Sequence, residues 1–390
     1  VIVRVETPLL PGSTLGVLGS GQLGRMFVHA AQTMGYRTAV LDADPASPAG
    51  LVSHVHIAAQ YGDEDGLSAL AQVADAVTTE FENVPAQALA RLAATRPVAP
   101  SGDALAVCQD RAREKAHFRA CGVASAPHAV IASEADLAVD PSLLPGILKT
   151  AGLGYDGKGQ VQVESAAALA EAWDALGRVR CVLEQRLALA YEVSVILARG
   201  FDGTVVQLPL QENVHRDGIL AVTTVPAPSA TRDVLEATRA AAQRIAASLD
   251  YVGVLCVEFF VLTDGTVVAN EMAPRPHNSG HHSIDSCDTS QFALQVRTLA
   301  GLPLTDPQLL RPAVMLNLLG DLWFAAGDDV PAEPDWPSVL ALPGVHLHLY
   351  GKAQARRGRK MGHLTVTAAD AAAARDVASA AAAALGIAPL

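Results

Sequence analysis

The sequence predicts a mixed α/β and α+β protein, and three stretches carry that prediction. Thr14-Leu15-Gly16-Val17-Leu18-Gly19-Ser20-Gly21-Gln22-Leu23-Gly24 reads as a strand, a glycine turn and a helix start, the opening of a parallel α/β unit. Residues 149–164 read as a strand, a loop with four glycines and a second strand. Residues 254–272 read as an apolar hairpin turning at Asp264-Gly265, with Glu258 on one arm and Glu271 on the other.

Further strands at 38–42, 55–58 and 76–79 alternate with helical stretches, which extends the parallel domain over roughly the first 110 residues. A charged helix at 111–121 and a turn at 122–127 lead into a small α+β lobe with an alanine-rich helix at 165–176. Residues 191–315 are strand-rich, with one strong helix at 229–249. Asp306-Pro307 and Arg311-Pro312 mark a boundary, beyond which strands at 314–319, 345–349 and 362–366 precede a helix at 368–385. The expected division is 1–112, 113–190, 191–312 and 313–390.

Composition sets the function classes. The 390 residues have room for a sizeable core, and half of them are apolar. No apolar run approaches the roughly 18 residues of a membrane span. Residues 1–12 lack an export signal, and five scattered cysteines without a C-x-x-C pair suit a reducing compartment. A formal charge of -12 disfavours nucleic acid. A cytoplasmic protein without membrane or nucleic-acid partners is expected.

The hairpin carries the chemistry. If residues 263–266 form the loop, Leu262 pairs with Val267 and Glu258 faces Glu271. Like charges opposed across a sheet repel, and carboxylates among Val, Phe and Met are costly to bury unless they are paired or bind metal. A hard divalent cation bridging to phosphate oxygens answers both problems. The strand then leaves through Asn270-Glu271-Met272-Ala273-Pro274-Arg275-Pro276-His277-Asn278-Ser279-Gly280-His281-His282, a stiff polar loop suited to neutralising a phosphoryl group and a small anion.

The remaining motifs point the same way. Gly19-Ser20-Gly21-Gln22-Leu23-Gly24, with Asp42 after the next strand, fits the dinucleotide fingerprint but specifies only an anion-friendly turn. Gly152-Leu153-Gly154-Tyr155-Asp156-Gly157-Lys158-Gly159-Gln160 is followed by alternating residues rather than a helix, so it is a flap between strands and not a Walker loop. Its backbone N–H groups would cover phosphates that Lys149 helps neutralise. The strand ending Glu184-Gln185 and the strand from Glu192 offer a backbone edge for adenine and a carboxylate for ribose. Lys352, Arg356, Arg357, Arg359 and Lys360 form a basic cluster suited to the phosphate of a small substrate.

Taken together, these motifs resemble the ATP-grasp superfamily and, within it, the 5-(carboxyamino)imidazole ribonucleotide synthase family. Ala198-Arg199-Gly200-Phe201-Asp202-Gly203, His215-Arg216-Asp217-Gly218-Ile219-Leu220, Tyr251-Val252-Gly253-Val254 and Gly358-Arg359-Lys360-Met361-Gly362-His363-Leu364 share the likeness, which runs from about residue 14 to 366. It implies an ATP-grasp fold with an N-terminal Rossmann-like domain, a small lobe bearing the flap, a large lobe bearing the metal, and a small C-terminal domain. The implied reaction is carboxylation of aminoimidazole ribonucleotide at its exocyclic amine, with ATP and bicarbonate consumed through carboxyphosphate. The implied cofactors are ATP and Mg²⁺, with Mn²⁺ as an alternative, and the implied assembly is a homodimer.

The resemblance also implies roles. Glu258 and Glu271 hold the metal, with Asn270 beside them. Lys149, Arg111 and Gly154, Tyr155, Asp156, Gly157, Lys158, Gly159 and Gln160 surround the triphosphate. Glu184, Gln185, Arg186, Leu187 and Glu192 hold the adenosine, bordered by His215. Arg275 and His277 hold bicarbonate and stabilise carboxyphosphate, so that with Lys149 they form the expected catalytic set. The ribonucleotide lies among Gln22, Leu23, Glu80 or Glu82, Tyr155, Asp156, Asn278, Lys352, Arg359 and Lys360. Two departures stand out: His282 sits where the family often has an aromatic residue, and Ala151-Gly152-Leu153 replaces a more basic or Thr-containing run. His281 and His282 are expected to be structural rather than metal ligands. The alternatives are another ATP-grasp ligase, such as formate-dependent glycinamide ribonucleotide transformylase, a non-catalytic nucleotide-binding module, or an NAD-dependent dehydrogenase, which would leave Glu258, Glu271 and Arg275 without a role.

Overall fold

A computed structural model of the chain describes residues 5–152, 159–324 and 330–390. Its N-terminal part is a four-stranded parallel sheet ordered Val55–Ile57, Arg37–Leu41, Thr14–Leu18, Ala76–Thr79. Leu15, Val17, Leu18, Ala39, Val40 and Leu41 are all fully buried, as expected of parallel strands covered on both faces. The helices Gln22–Thr33 and Glu64–Val73 supply that cover.

The small lobe is a four-stranded antiparallel sheet ordered His128–Ile131, Cys181–Gln185, Gly146–Thr150, Gln160–Val163. The helix Ala166–Ala175 packs Leu169 and Trp173 against Ile131, Leu148 and Leu183. Gly146–Thr150 pairs antiparallel with Gln160–Val163, the strand expected from the alternation after the glycine-rich segment. Gly154, Tyr155, Asp156, Gly157 and Lys158 lie outside the described residues.

The large sheet has nine strands. Its path runs Val267–Ala273, Gly253–Leu262, Leu189–Arg199, Gln211–Arg216, Ile219–Val225, Ala313–Leu319, Lys360–Thr367, Val345–Leu349, with Val205–Gln207 beside Leu189–Arg199. The C-terminal strands therefore extend the sheet that holds the hairpin, joined through Thr223 opposite Met315. The helix Arg232–Ser248, capped by Thr231, covers one face and starts three residues later than the 229 predicted from apolar spacing. The helix Arg111–Ala120 is fixed at its start by Asp110, whose carboxylate accepts from the Ala112 and Arg113 N–H groups. Among the described residues, no helix is long and apolar enough to cross a membrane.

The hairpin register corrects one expectation. Val261, not Leu262, stands opposite Val267, so the tip is displaced by one residue. A bulge between Phe259 and Glu258 then absorbs the extra residue, Asn270, and Glu258 does face Glu271. The expected pair forms by an unexpected route.

Candidate active site and nucleotide pocket

The bulge sets the geometry of the site. A bulged position places two residues of one strand against one of its partner, and Asn270 and Glu271 both line a cavity of about 730 Å³ that Glu258 also borders. Each carboxylate has a nitrogen partner. Arg111 Nη1 donates to Glu271 Oε2 at 2.8 Å, and His277 Nε2 lies 2.8 Å from Glu258 Oε1. Burial pushes Glu271 up, yet the Arg111 guanidinium outweighs it and holds the carboxyl down at about 2. Glu258 is likewise held below the usual range, with burial opposed chiefly by His277. Both groups are thus anionic at neutral pH.

This donor set suits a hard divalent cation. Two carboxylates converge, and among the described residues the buried Asn270 Oδ1 beside them has no hydrogen-bond partner. Glu192, His215 and Glu258 form a second convergence, with donor atoms all within 4.8 Å of one another. His215 Nδ1 lies 2.7 Å from Glu192 Oε2, and although burial opposes it, Glu192 and the neighbouring carboxylates raise the His215 pKa.

On the small-lobe side, Lys149 reaches the same cavity from the strand Gly146–Thr150. Its Nζ is 3.0 Å from Glu184 Oε2, while Lys115 Nζ is 3.1 Å from Glu184 Oε1. Glu184 is buried, and the two lysines hold its carboxyl low against the penalty of burial. Its side chain thus braces Lys149. Across the cavity, Arg275 Nε donates to Glu82 Oε2, and His277 is fixed by its backbone N–H to Gln291 Oε1 at 2.8 Å and by Nδ1 against Ser279 Oγ at 2.8 Å.

Comparison with known proteins places this arrangement. The ATP-grasp domain model matches residues 116–292, the ribonucleotide synthetase preATP-grasp domain model residues 13–109, and the phosphoribosylaminoimidazole carboxylase C-terminal domain model residues 313–377. The N5-carboxyaminoimidazole ribonucleotide synthase of Brucella melitensis is 44% identical over 364 residues, 92% of this chain and 98% of that protein. The chain belongs to the N5-carboxyaminoimidazole ribonucleotide synthase family. Two solved structures of the family superpose closely. The Staphylococcus aureus synthetase complexed with ADP has a TM-score of 0.88 at 37% identity, covering 96% of this chain and 98% of that one. The Aspergillus clavatus synthase complexed with ADP and 5-aminoimidazole ribonucleotide has a TM-score of 0.87 at 31% identity, covering 97% and 100%.

Within this synthase-family cavity, the N-terminal part contributes Gln22 and Leu23 from the start of the helix Gln22–Thr33 and Glu80 and Glu82 from just beyond the strand Ala76–Thr79. The N–H groups of the glycine turn are taken by the chain's own Glu80 side chain, whose carboxyl burial pushes up despite those contacts. Gly21 N–H donates to Glu80 Oε1 at 2.7 Å and Gly24 N–H to Glu80 Oε2 at 3.1 Å. A Cβ on Gly19 would sit 2.8 Å from Glu80, so the glycines make room for a carboxylate rather than a pyrophosphate. The dehydrogenase alternative loses its phosphate site by this contact.

Gln160 and Asn278 also border the cavity, and Asn278 is buried with neither side-chain amide atom partnered among the described residues. Of the basic cluster, Lys360 lines the cavity. Lys352 donates from Nζ to Lys360 O at 2.6 Å, and Arg359 Nη1 to Gln354 O at 2.9 Å. Gly159 ends the flap at φ 71°, with Thr150 Oγ1 2.7 Å from where a Cβ would stand. Arg186 turns outward to Glu164, and Gln185 and Leu187 do not line the cavity. His281 lines it while remaining buried against Gln291 and His363, and His282 is fully buried, consistent with structural roles.

Three contributors are absent from the sequence reading: Glu114, Lys115 and Gln109. Gln109 Nε2 donates to the carbonyls of Glu82 and Val84, both at 2.7 Å, and so fixes the loop that presents Glu82. The only local signal for these residues was a charged helix start, because each acts on a segment far away in the chain.

Proposed function

We propose that this enzyme, an ATP-dependent carbon–nitrogen ligase, carboxylates the exocyclic amine of 5-aminoimidazole ribonucleotide in purine biosynthesis, with bicarbonate as the carboxyl source. The observation that carries this reading is the single cavity shared by three groups: the carboxylate pair Glu258 and Glu271, Lys149 from the flap strand, and the Arg275–His277 loop. Glu80 and Glu82 close its far side. A family member crystallised with ADP and the aminoimidazole ribonucleotide supports the same assignment.

The residues divide the work. Bicarbonate is a poor electrophile, so one of its oxygens attacks the γ-phosphorus of ATP, ADP departs and carboxyphosphate forms. The amine nitrogen of the ribonucleotide then bonds to the carboxyl carbon, inorganic phosphate leaves, and the amine proton is released. Glu258 and Glu271, with Asn270, would hold Mg²⁺, or Mn²⁺ in its place, which when bound neutralises phosphate oxygens. Lys149, steadied by Glu184, adds positive charge at the triphosphate, and Arg111 lies beside Glu271. Burial within the cavity strengthens these interactions and keeps a labile intermediate from water. Arg275 and His277 stand where a small anion would meet the phosphoryl group. Lys360, with Lys352 and Arg359 behind it, faces the ribonucleotide phosphate.

ADP release from Mg·ATP and bicarbonate, with and without the aminoimidazole ribonucleotide, tests the proposal. Strong stimulation by the ribonucleotide is expected. Turnover driven instead by another amine or acid would retain the ATP-grasp chemistry and discard this substrate.

A further inference from the structure

The strand Val267–Ala273 is the edge of the nine-stranded sheet, and among the described residues its outward side meets no further strand, only an isolated bridge between Ala269 and Ser125. Two of its outward N–H groups are satisfied on either side of the bulge. Ala269 N–H donates to Ala124 O at 2.8 Å, and Met272 N–H donates to Glu114 Oε1 at 2.6 Å. On a regular edge strand outward N–H groups recur every second residue, whereas here they are three apart because the bulge inserts Asn270. The two clamps therefore hold the ends of the segment that presents Asn270 and Glu271. One is a backbone carbonyl; the other is a side chain from a helix more than 150 residues away, Arg111–Ala120.

We infer that Glu114 is a positioning residue for the metal carboxylates: by accepting the Met272 N–H it fixes the bulge that aims Asn270 and Glu271 into the cavity. Glu114 is 2 % exposed and sits one turn after Arg111, which grips the Glu271 carboxylate itself. The helix thus holds the bulged segment at both a side chain and the backbone. Glutamine would offer an amide oxygen at the same reach without the charge, so it keeps an acceptor for the Met272 N–H. That separates hydrogen-bond acceptance from charge as the property the site uses.

The inference rests on the metal assignment above, and the experiment distinguishes their failures. Binding of Mn²⁺ in the presence of ADP is followed by loss of the free-ion electron paramagnetic resonance signal, for the full chain and for Glu114→Gln, Glu114→Asp, Glu114→Ala and Glu271→Gln. Glu114→Gln keeps an acceptor at the same reach and is expected to bind Mn²⁺ within about twofold of the parent, whereas Ala, which has none, and Asp, shorter by one methylene, weaken it about 10- to 100-fold. Thermal melting accompanies each variant. If Glu114→Ala does not fold, the Gln and Asp pair decides. Equal affinity in those two, or an unchanged Glu114→Ala, overturns the positioning role. Undiminished Mn²⁺ binding by Glu271→Gln overturns the metal assignment on which it stands.

Discussion

Glu271 is the residue on which most of the site converges. It shares a bulge with Asn270, faces Glu258 across the hairpin and accepts from Arg111. Glu271→Gln keeps the shape while removing the charge a cation needs. ATP cleavage is expected to fall by at least about two orders of magnitude with little change in melting temperature. A variant with full turnover would remove Glu271 from the metal site. Lys360 makes a different demand, because it lines the cavity from the C-terminal strand Lys360–Thr367 rather than from the hairpin, and it is the proposed contact of the ribonucleotide phosphate. Lys360→Ala is expected to raise the KM for the ribonucleotide by roughly 10-fold or more, as loss of one charge-assisted contact requires, while the KM for ATP stays within about twofold. A change confined to ATP would place the basic cluster on the other substrate.

At the scale of elements, the glycine turn yields the next prediction. Gly19 adopts φ 99°, and a Cβ there would stand 2.8 Å from the Glu80 side chain. Gly19→Ala therefore strains the turn and displaces the carboxylate that satisfies the N–H groups of Gly21 and Gly24. A loss on the order of 2 kcal/mol in denaturant unfolding is expected, accompanied by a higher ribonucleotide KM. Unchanged stability would mean that the turn accommodates the methyl group by moving away from Glu80. The turn itself was legible in the sequence because strand, glycines and helix start are local. Its occupant was not, because Glu80 arrives from a strand almost 60 residues later. The hairpin teaches a related lesson. The loop residues and the opposed glutamates could be read from alternation, but a bulge leaves no mark in an apolar pattern, and counting back from the turn reached the right pair only because two one-residue displacements cancelled. Glu114 and Lys115 were the least visible. Nothing near them in the chain indicates that one would hold Met272 and the other Glu184.

Across the whole molecule, a block of buried imidazoles ties the loop beyond the hairpin to the C-terminal strands. His281 packs against His363 with ring centroids 5.0 Å apart, His363 stacks on His348 at 4.5 Å, and His348 Nε2 reaches Asp285 Oδ2 at 2.8 Å. Tyr350 hydroxyl lies 3.0 Å from His363 Nδ1, and Ser286 hydroxyl 2.7 Å from His282 Nδ1. Burial drives His281 and His363 well below their usual range, helped by the neighbouring imidazoles. It brings His282 to about 3, against the pull of Asp285. His281, His282 and His363 are neutral in the folded chain. As pH falls below about 6.5, the ordinary value, the unfolded chain takes up protons that the folded chain refuses, so this contribution is intact above that pH and declines below it toward pH 3. Glu114 acts with the opposite sign, since its raised carboxyl favours the folded chain as pH drops from about 8, so total stability alone does not isolate the histidines. A difference between two proteins does. His282→Gln removes one refused proton, and between pH 6 and pH 4.5 its unfolding free energy should fall with pH less steeply than the parent's, by about 1.4 kcal/mol per pH unit. Parallel slopes, measured by denaturant unfolding at several pH values, would show that His282 titrates alike in the folded and unfolded chains and that burial does not hold it neutral.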